Sequence, residues 1–421
     1  MAVLLTVQGE LLGTHVHHHH HQVLDGLLVK RPSAIVANVS SAVEEAFDTC
    51  ARGWHGEKIA CQAIETDQVL AFLEVPINLV QLDPTARQKE PWWPPTTKGP
   101  EPVSLCASTP PQIAGKNILI TGVSPGSLGE SFVKQVAVAQ PAMFILASRS
   151  ISKVQNLIDE LATAYPSVKV KPLYLNLLSF DDVRKAAETV NSWTDVPHID
   201  ILVNNAGIMA VPYKLTEDGY ESQFQTNHLS HFLLTNLLMG KILASKTPRI
   251  VVVSSNVHRI GHIHWSDPNF NGGKHYQRWL GYSQSKTANA LMGVSLAEKL
   301  GHRGLLAFPI CPGVSLTNLA AHGREDLAAF SVDLTDMDNI YGNKWLWGMA
   351  EMKIKDLDQG AATHVFAAFD TSIANQNGAF LSDCHAADPD MEEVHSWATS
   401  KVDAERLWRM SEKLVGQEFK Y

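Results

Sequence analysis

The sequence predicts an α/β fold over residues 113–421: a doubly wound, mostly parallel sheet of seven strands with helices on both faces, preceded by an N-terminal extension. Three observations predict it. From Asn117 onward, short runs rich in valine and isoleucine alternate with helical stretches. These runs are continuously apolar rather than alternating, which marks strands covered on both faces in a parallel sheet. The first run opens into a glycine-bearing turn, ILITGVSPGSLGE from Ile118 to Glu130, where such a fold places a helix N-terminus that can hold a phosphate.

Residues 1–112 read as an extension and linker. Ser41 and Glu44 stand at capping-box spacing in SSAVEEAFDTCARG, and Gly53 stops the short helix they would start. The run His17–His21 reads as a polar tail, because no carboxylate or cysteine accompanies it, and no metal is expected. From Gln88 to Pro111 the density of proline prevents both helix interior and sheet ladder, so this stretch is a linker. Its Trp92-Trp93 pair is either a sticky linker segment or packs on the domain that follows.

The strands follow in order as NILIT, MFILAS from Met143, VKPLYLN from Val170, IDILVNNA from Ile199, RIVVVSS from Arg249, LLAFPIC from Leu305 and GAFLSDC from Gly378. Ligands are expected at their carboxyl ends, near the topological switch point.

Bulk properties exclude several classes. With 43 acidic against 34 basic residues the formal charge is −9, and no basic block is long enough to track a phosphate backbone, so nucleic acid is not an expected partner. The 5 cysteines, Cys50, Cys61, Cys106, Cys311 and Cys384, are scattered and form no CxxC pair, which fits a reducing compartment. The N-terminus lacks a basic leader, and no apolar run has membrane-spanning length, so the expected location is cytoplasmic.

Chemistry enters at Tyr282 in YSQSK. A helix there puts Tyr282 and Lys286 on one face, and an ammonium beside a phenol lowers its pKa from about 10, making it a usable acid or base. At the end of the second strand, ASRS offers Arg149 and no acid between Ala147 and Ser150. A carboxylate there would repel a ribose 2′-phosphate, whereas an arginine grips it or stays solvated, so NADP(H) is the favoured cofactor.

Taken together, residues 113–421 resemble the short-chain dehydrogenase/reductase family. The matching motifs are TGVSPGSLG from Thr121, NNAG from Asn204, Asn227 in FQTNHLSHF, Ser254-Ser255 ending a strand, YSQSK at Tyr282, and CPG at Cys311 followed by Thr317. HRIGHIHW after the serines, QSKTANAL and DQGAAT look most like the retinol-dehydrogenase and WW-domain-oxidoreductase-like branch in its fungal form. The resemblance implies a Rossmann fold and hydride transfer between a nicotinamide and a carbonyl carbon. It makes Tyr282 the proton donor, with Lys286 lowering its pKa and holding the ribose, Ser255 bonding the carbonyl oxygen, and Asn227 interrupting its helix to bind a water in a proton relay. The cofactor would meet Gly122, Ser124, Gly126, Leu128, Gly129, Arg149, Asn176, Asn205, Ala206, Gly207, Tyr282, Lys286, Ser315 and Thr317.

Three departures from the family pattern stand out. Asn176 replaces the usual aspartate at the third strand's end, turning a charged contact to the adenine amine into an amide one. Cys311 replaces a frequent histidine and reads as a buried apolar residue. The glycine spacing is one residue longer than GxxxGxG, which predicts that Ser127-Leu128 bulge while Gly126 and Gly129 let the backbone approach the pyrophosphate. His258, His262 and His264 read as a substrate-side or surface loop, not a metal site. The aromatic segment 319–352, with Phe330, Tyr341, Trp345, Trp347 and Met349, is either a lid over a lipophilic carbonyl compound or packed helix.

The expected function is therefore an NADP(H)-dependent oxidoreductase interconverting a ketone or aldehyde and its alcohol on a lipophilic small molecule, such as one of secondary metabolism. Oligomerisation is left open. The rival is a nucleotide-sensing or scaffold protein of the same fold that has no turnover; such proteins typically lose the tyrosine or lysine, and both are present here.

Overall fold

In a computed structural model, the structure describes residues 110–315, 317–319, 334–337, 339–340, 354–388 and 394–421. The extension with its helix at Ser41, the histidine run, Trp92-Trp93, Cys50, Cys61, Cys106 and the aromatics of segment 319–352 named above lie outside these residues.

The first strand, β1 (Asn117–Thr121), leads through the glycine turn into helix α1 (Leu128–Ala137), then β2 (Met143–Ser148), α2 (Ile151–Ala164), β3 (Lys169–Tyr174), α3 (Phe180–Ser192) and β4 (Ile201–Asn204). A three-residue helix, Ser222–Phe224, and a π-turn, Gln225–Leu229, run into α4 (Ser230–Leu237). Then come β5 (Arg249–Val253), α5 (Arg278–Leu300), β6 (Leu306–Cys311), the short β7 (Val314–Ser315) and β8 (Ile354–Lys355), α6 (Leu357–Phe369), β9 (Leu381–Ser382), β10 (His385–Ala386) and α7 (Lys401–Val415).

The sheet order is β10-β9-β6-β5-β4-β1-β2-β3, parallel except for β10. All seven expected strands are present. The eighth arises because Asp383 and Cys384 take positive φ of 46° and 60° and fold GAFLSDC back as a tight hairpin. β7 and β8 pair separately.

Alternation within the apolar runs separates two cores. Leu119 and Ile145 face the layer of α3, α4, α5 and α7, while Ile118, Ile120, Phe144 and Leu146 face that of α1, α2 and α6. β3 is an edge, which tolerates Pro172 in its ladder and leaves Tyr174 exposed. The chain reverses direction across the sheet between β1 and β4, so the carboxyl ends of these two strands flank the switch-point crevice.

Candidate active site

A cavity of about 570 Å³ occupies that crevice, from Arg149 at one end to Tyr282 and Trp279 at the other. Of the sequence-predicted site residues, Gly122, Ser124, Leu128, Arg149, Asn176, Asn205, Ala206, Gly207, Ser255, Tyr282, Lys286, Ser315 and Thr317 line it. Asn227 stands behind Gly207, and Gly126 and Gly129 lie outside the wall.

The glycine turn is shaped by its own side chains. Gly122 has φ +79°, and a Cβ on it would sit 2.6 Å from the Ala206 Cα, so only glycine fits between β1 and β4. A Cβ on Gly129 would meet the Gly122 carbonyl oxygen at 2.7 Å, so that glycine serves helix-to-strand packing. Ser127 and Leu128 do not bulge. Ser127 is the N-cap of α1 and Leu128 its first residue; the Ser127 hydroxyl accepts from Glu130 N and Ser124 N, each at 3.1 Å. The additional residue is absorbed before the cap, where Ser127 N bonds Ser124 O at 3.0 Å and Gly126, at φ +71°, turns its N–H to Glu130 Oε2 at 2.6 Å. Gly126 N–H thus points away from the cleft. Among the described residues the N–H groups of Leu128 and Gly129 meet no acceptor, which leaves two donors at a ten-residue helix N-terminus for a phosphate.

Thr121, the first residue of the motif, knots this region together. Its hydroxyl accepts from Asn205 N and Ala206 N, each at 3.0 Å, and lies 2.8 Å from His231 Nε2. His231 Nδ1 faces the Asn227 carbonyl at 3.0 Å, and burial holds this ring down at about 4. A carbonyl only accepts, so Nδ1 carries the proton and Thr121 donates to Nε2. Asn205 Nδ2 donates to Thr121 O at 2.8 Å, and its Oδ1 is reached by His364 Nε2 at 3.3 Å.

Near Tyr282, Asn227 is fully buried at the centre of the π-turn, the helix irregularity expected at this residue. Its amide grips Ile208 from both sides, Oδ1 accepting from Ile208 N and Nδ2 donating to Ile208 O, each at 2.9 Å, and Nδ2 also reaches Ser285 Oγ at 2.9 Å. A Cβ on Gly207 would meet Asn227 Oδ1 at 3.1 Å and Lys286 Nζ at 3.7 Å, so this glycine is the open floor between the two. Lys286 Nζ donates to Val253 O at 2.9 Å and lies 5.5 Å from the Tyr282 ring centroid. Burial pushes Lys286 down to about 8.

The Tyr282 phenol behaves otherwise than the sequence suggested. Burial raises it well above 10, and the hydrogen bond from Ser255 only partly opposes that rise. Desolvation of the phenolate by the chain around it is the largest effect, so the net shift is upward despite the neighbouring lysine. The phenol is accordingly protonated at neutral pH. Of the two adjacent serines, Ser254 is committed to the Lys286 carbonyl, while Ser255, the N-cap of the 3₁₀ turn Asn256–Ile260, presents its hydroxyl to Tyr282.

The cleft end at Arg149 is cationic. Arg149 is exposed, α2 begins with no side-chain cap and no acid in its first turn, and Lys153, also on the wall, adds a second cation. The spacing of four between Arg149 and Lys153 was a signal available in the sequence. Asn176 spends its amide within the chain, Nδ2 donating to Asp182 at 3.0 Å and Oδ1 accepting from Leu178 N at 3.2 Å.

At the other side, Gly313 has φ +78°, and Asn318 Nδ2 donates to Pro125 O at 3.2 Å, tying the Thr317 segment to the phosphate turn. Cys311 lies on the cleft wall, with its thiol facing Asn256 Oδ1 at 3.2 Å; burial pushes the thiol up, away from nucleophile behaviour. Around Tyr282 the wall is apolar, formed by Met209, Val257, Trp279 and Leu334. Of the two readings for these histidines, substrate side or surface loop, the second does not hold for His258, which is fully buried, and among the described residues no cluster suited to a metal ion occurs. Nor does any described helix have the length and apolarity to cross a membrane.

Comparison with known proteins agrees with this geometry. Residues 116–267 match the family described as short chain dehydrogenase. Human retinol dehydrogenase 11 is 33% identical over 312 residues, 74% of this chain and 89% of that protein. Human retinol dehydrogenase 13 is 32% identical over 306 residues, 73% of this chain and 86% of that one. A solved structure of an uncharacterized protein from Mycobacterium paratuberculosis is 31% identical, covers 75% of this chain and 98% of its own, and superposes with a TM-score of 0.55.

Proposed function

This chain belongs to the short-chain dehydrogenase family, resembles the retinol dehydrogenases and is an oxidoreductase of carbonyl and alcohol groups, and from that premise we propose that it uses NADP(H) on a lipophilic ketone or aldehyde or its alcohol. One observation carries the reading: a single cleft joins a cationic end, Arg149 and Lys153, to an apolar end where a protonated Tyr282 meets Ser255.

The residues present fit a dinucleotide. Leu128 and Gly129 offer N–H donors to the pyrophosphate, Gly122 and Ala206 close the turn without side-chain bulk, and Arg149 with Lys153 matches a 2′-phosphate. Asn205 to Gly207, which line the same cleft, would meet the adenosine half, and Ser315 with Thr317 the nicotinamide half. When bound, the nicotinamide supplies a hydride to the carbonyl carbon.

As the carbonyl π pair moves to oxygen, Tyr282 gives that oxygen its proton and Ser255 donates a hydrogen bond to the charge developing there. Lys286, mostly cationic at neutral pH, stabilises the resulting phenolate, which regains its proton through Lys286. Oxidation of the alcohol runs the same proton path backwards. The apolar wall of Met209, Val257, Trp279 and Leu334 excludes water and favours an apolar substrate.

The test is to measure binding of NADPH and NADH by cofactor fluorescence, then turnover of a panel of lipophilic carbonyls that includes retinal. NADPH is expected to bind more tightly and to be oxidised by at least one apolar aldehyde or ketone. Tighter binding of NADH would sink the cofactor assignment, and binding without turnover across the panel would favour the nucleotide-sensing alternative.

A further inference from the structure

The turn after β5 carries a histidine that the chemistry above does not use. His258 follows Ser255 by three residues and is fully buried behind the cleft wall. Its Nδ1 lies 2.7 Å from the Ser255 carbonyl oxygen, and its Nε2 lies 3.2 Å from the backbone nitrogen of His395, 137 residues later. The first neighbour only accepts and the second only donates, so the ring holds one proton, on Nδ1. Burial and the adjacent Arg259 keep it neutral, with its pKa down at about 3.

The same turn is held from further points of the C-terminal segment. The His258 carbonyl accepts from Trp397 Nε1 at 2.9 Å, and the His395 and Trp397 rings stack with centroids 4.3 Å apart. Phe380 closes another side of the imidazole at 4.9 Å. Ser255 needs such support because it stands where the sheet ends. Ser254 N is still held by the β6 carbonyl of Ile310 at 2.7 Å, whereas the Ser255 carbonyl has left the ladder and is held by His258, through its N–H at 3.1 Å and its imidazole at 2.7 Å.

We propose that His258 is a positioning residue that makes the aim of the Ser255 hydroxyl depend on docking of the segment His395–Trp397. The inference rests on the reading of Ser255 as the residue facing the substrate oxygen. The neutral imidazole acts as a spacer with one donor and one acceptor: it fixes the Ser255 peptide from one side and the His395 amide from the other. Without it the Ser255 carbonyl keeps only the longer bond from the His258 N–H at 3.1 Å, and the peptide, with an Oγ already shared with Val257 N at 3.2 Å, is held less firmly.

The experiment uses the full chain with two substitutions. His258→Phe keeps a ring and removes both polar contacts; His258→Asn restores an N–H donor near the Nδ1 position. Three quantities are read: kcat and KM with NADPH and the best carbonyl of the panel, the NADPH dissociation constant by fluorescence, and amide hydrogen exchange in 254–260 and 394–399 without cofactor. His258→Phe is expected to lower kcat by about 10²-fold, the scale of a misplaced catalytic group, while NADPH affinity stays within about twofold and exchange quickens in both segments together. His258→Asn is expected to recover most of kcat and the protection of 254–260. Unchanged exchange in 394–399, a parallel loss of NADPH affinity, or an asparagine variant no better than phenylalanine overturns the proposal. Should His258→Phe not fold, Trp397→Phe removes one tie to the turn; faster exchange at 254–260 and a lower kcat then support the proposal, and no change in either overturns it. A wild-type chain that binds no NADPH defeats the functional reading instead, and the exchange measurements still decide whether the brace exists.

Discussion

The hydroxyl of Ser254 donates to the backbone carbonyl of Lys286 at 2.7 Å, joining the end of β5 to the helix that carries Tyr282. That bond separates the duties of two neighbouring serines: Ser254 anchors, and Ser255 faces the phenol. Ser255→Ala is therefore expected to lower kcat by about 10²-fold, as loss of an oxyanion donor does, with little effect on melting temperature. Ser254→Ala is expected to lower the melting temperature and to cost less in kcat. The reverse order in steady-state kinetics would reassign the two.

The Tyr282 phenol is placed against Ser255, and its burial keeps it protonated. Tyr282→Phe is expected to cut turnover by about 10³-fold, within the range for a general acid, while NADPH fluorescence titrations stay near wild type. A phenylalanine variant with wild-type kcat would remove Tyr282 from the chemistry.

Arg149 and Lys153 border the same end of the cleft, at a helix start free of acidic residues. Arg149→Ala with Lys153→Ala is expected to weaken NADPH binding by about tenfold or more, the scale of lost charge-assisted contacts, and to leave NADH binding unchanged. Equal losses for both cofactors would show that the two cations serve the pyrophosphate or the fold.

Four buried histidines make acid stability a direct readout of the packing. Burial depresses His228, His258 and His364 to about 3 and His231 to about 4. Unfolded, each would take a proton near pH 6.5, while the folded form refuses it down to about pH 4. Folded stability from these groups is thus complete above 6.5 and is lost as pH falls, each contributing on the order of 1 kcal/mol per pH unit. The melting temperature is expected to drop steeply between pH 6.5 and 4.5, and His364→Gln, which keeps a donor toward Asn205, to flatten that slope. A melting temperature constant across this interval would contradict neutral burial.

The fold and most of the cleft were legible from local patterns. Continuous apolar runs report two-sided burial, and Ile118 and Leu119 do bury opposite faces of β1. Glycines at 122 and 129 report close approach, because at both positions a Cβ would strike backbone. The spacing of Tyr282 and Lys286 reports one helix face, since the helical repeat is a local property of the chain.

What the sequence determined by itself, then, is whatever follows from a residue and its near neighbours: strand or helix, buried face, and the kind of chemistry available. Only the tertiary structure decided the rest. It turned Gly126 N–H to Glu130 instead of the cleft, raised Tyr282 where a lysine neighbour suggested a lower value, and buried His258, read as part of a substrate-side or surface loop, against the His395 backbone. Each outcome depends on partners distant in the chain or on how much water the assembled fold excludes. Desolvation and long-range hydrogen bonding are properties of the packed arrangement, and no short stretch of sequence contains them.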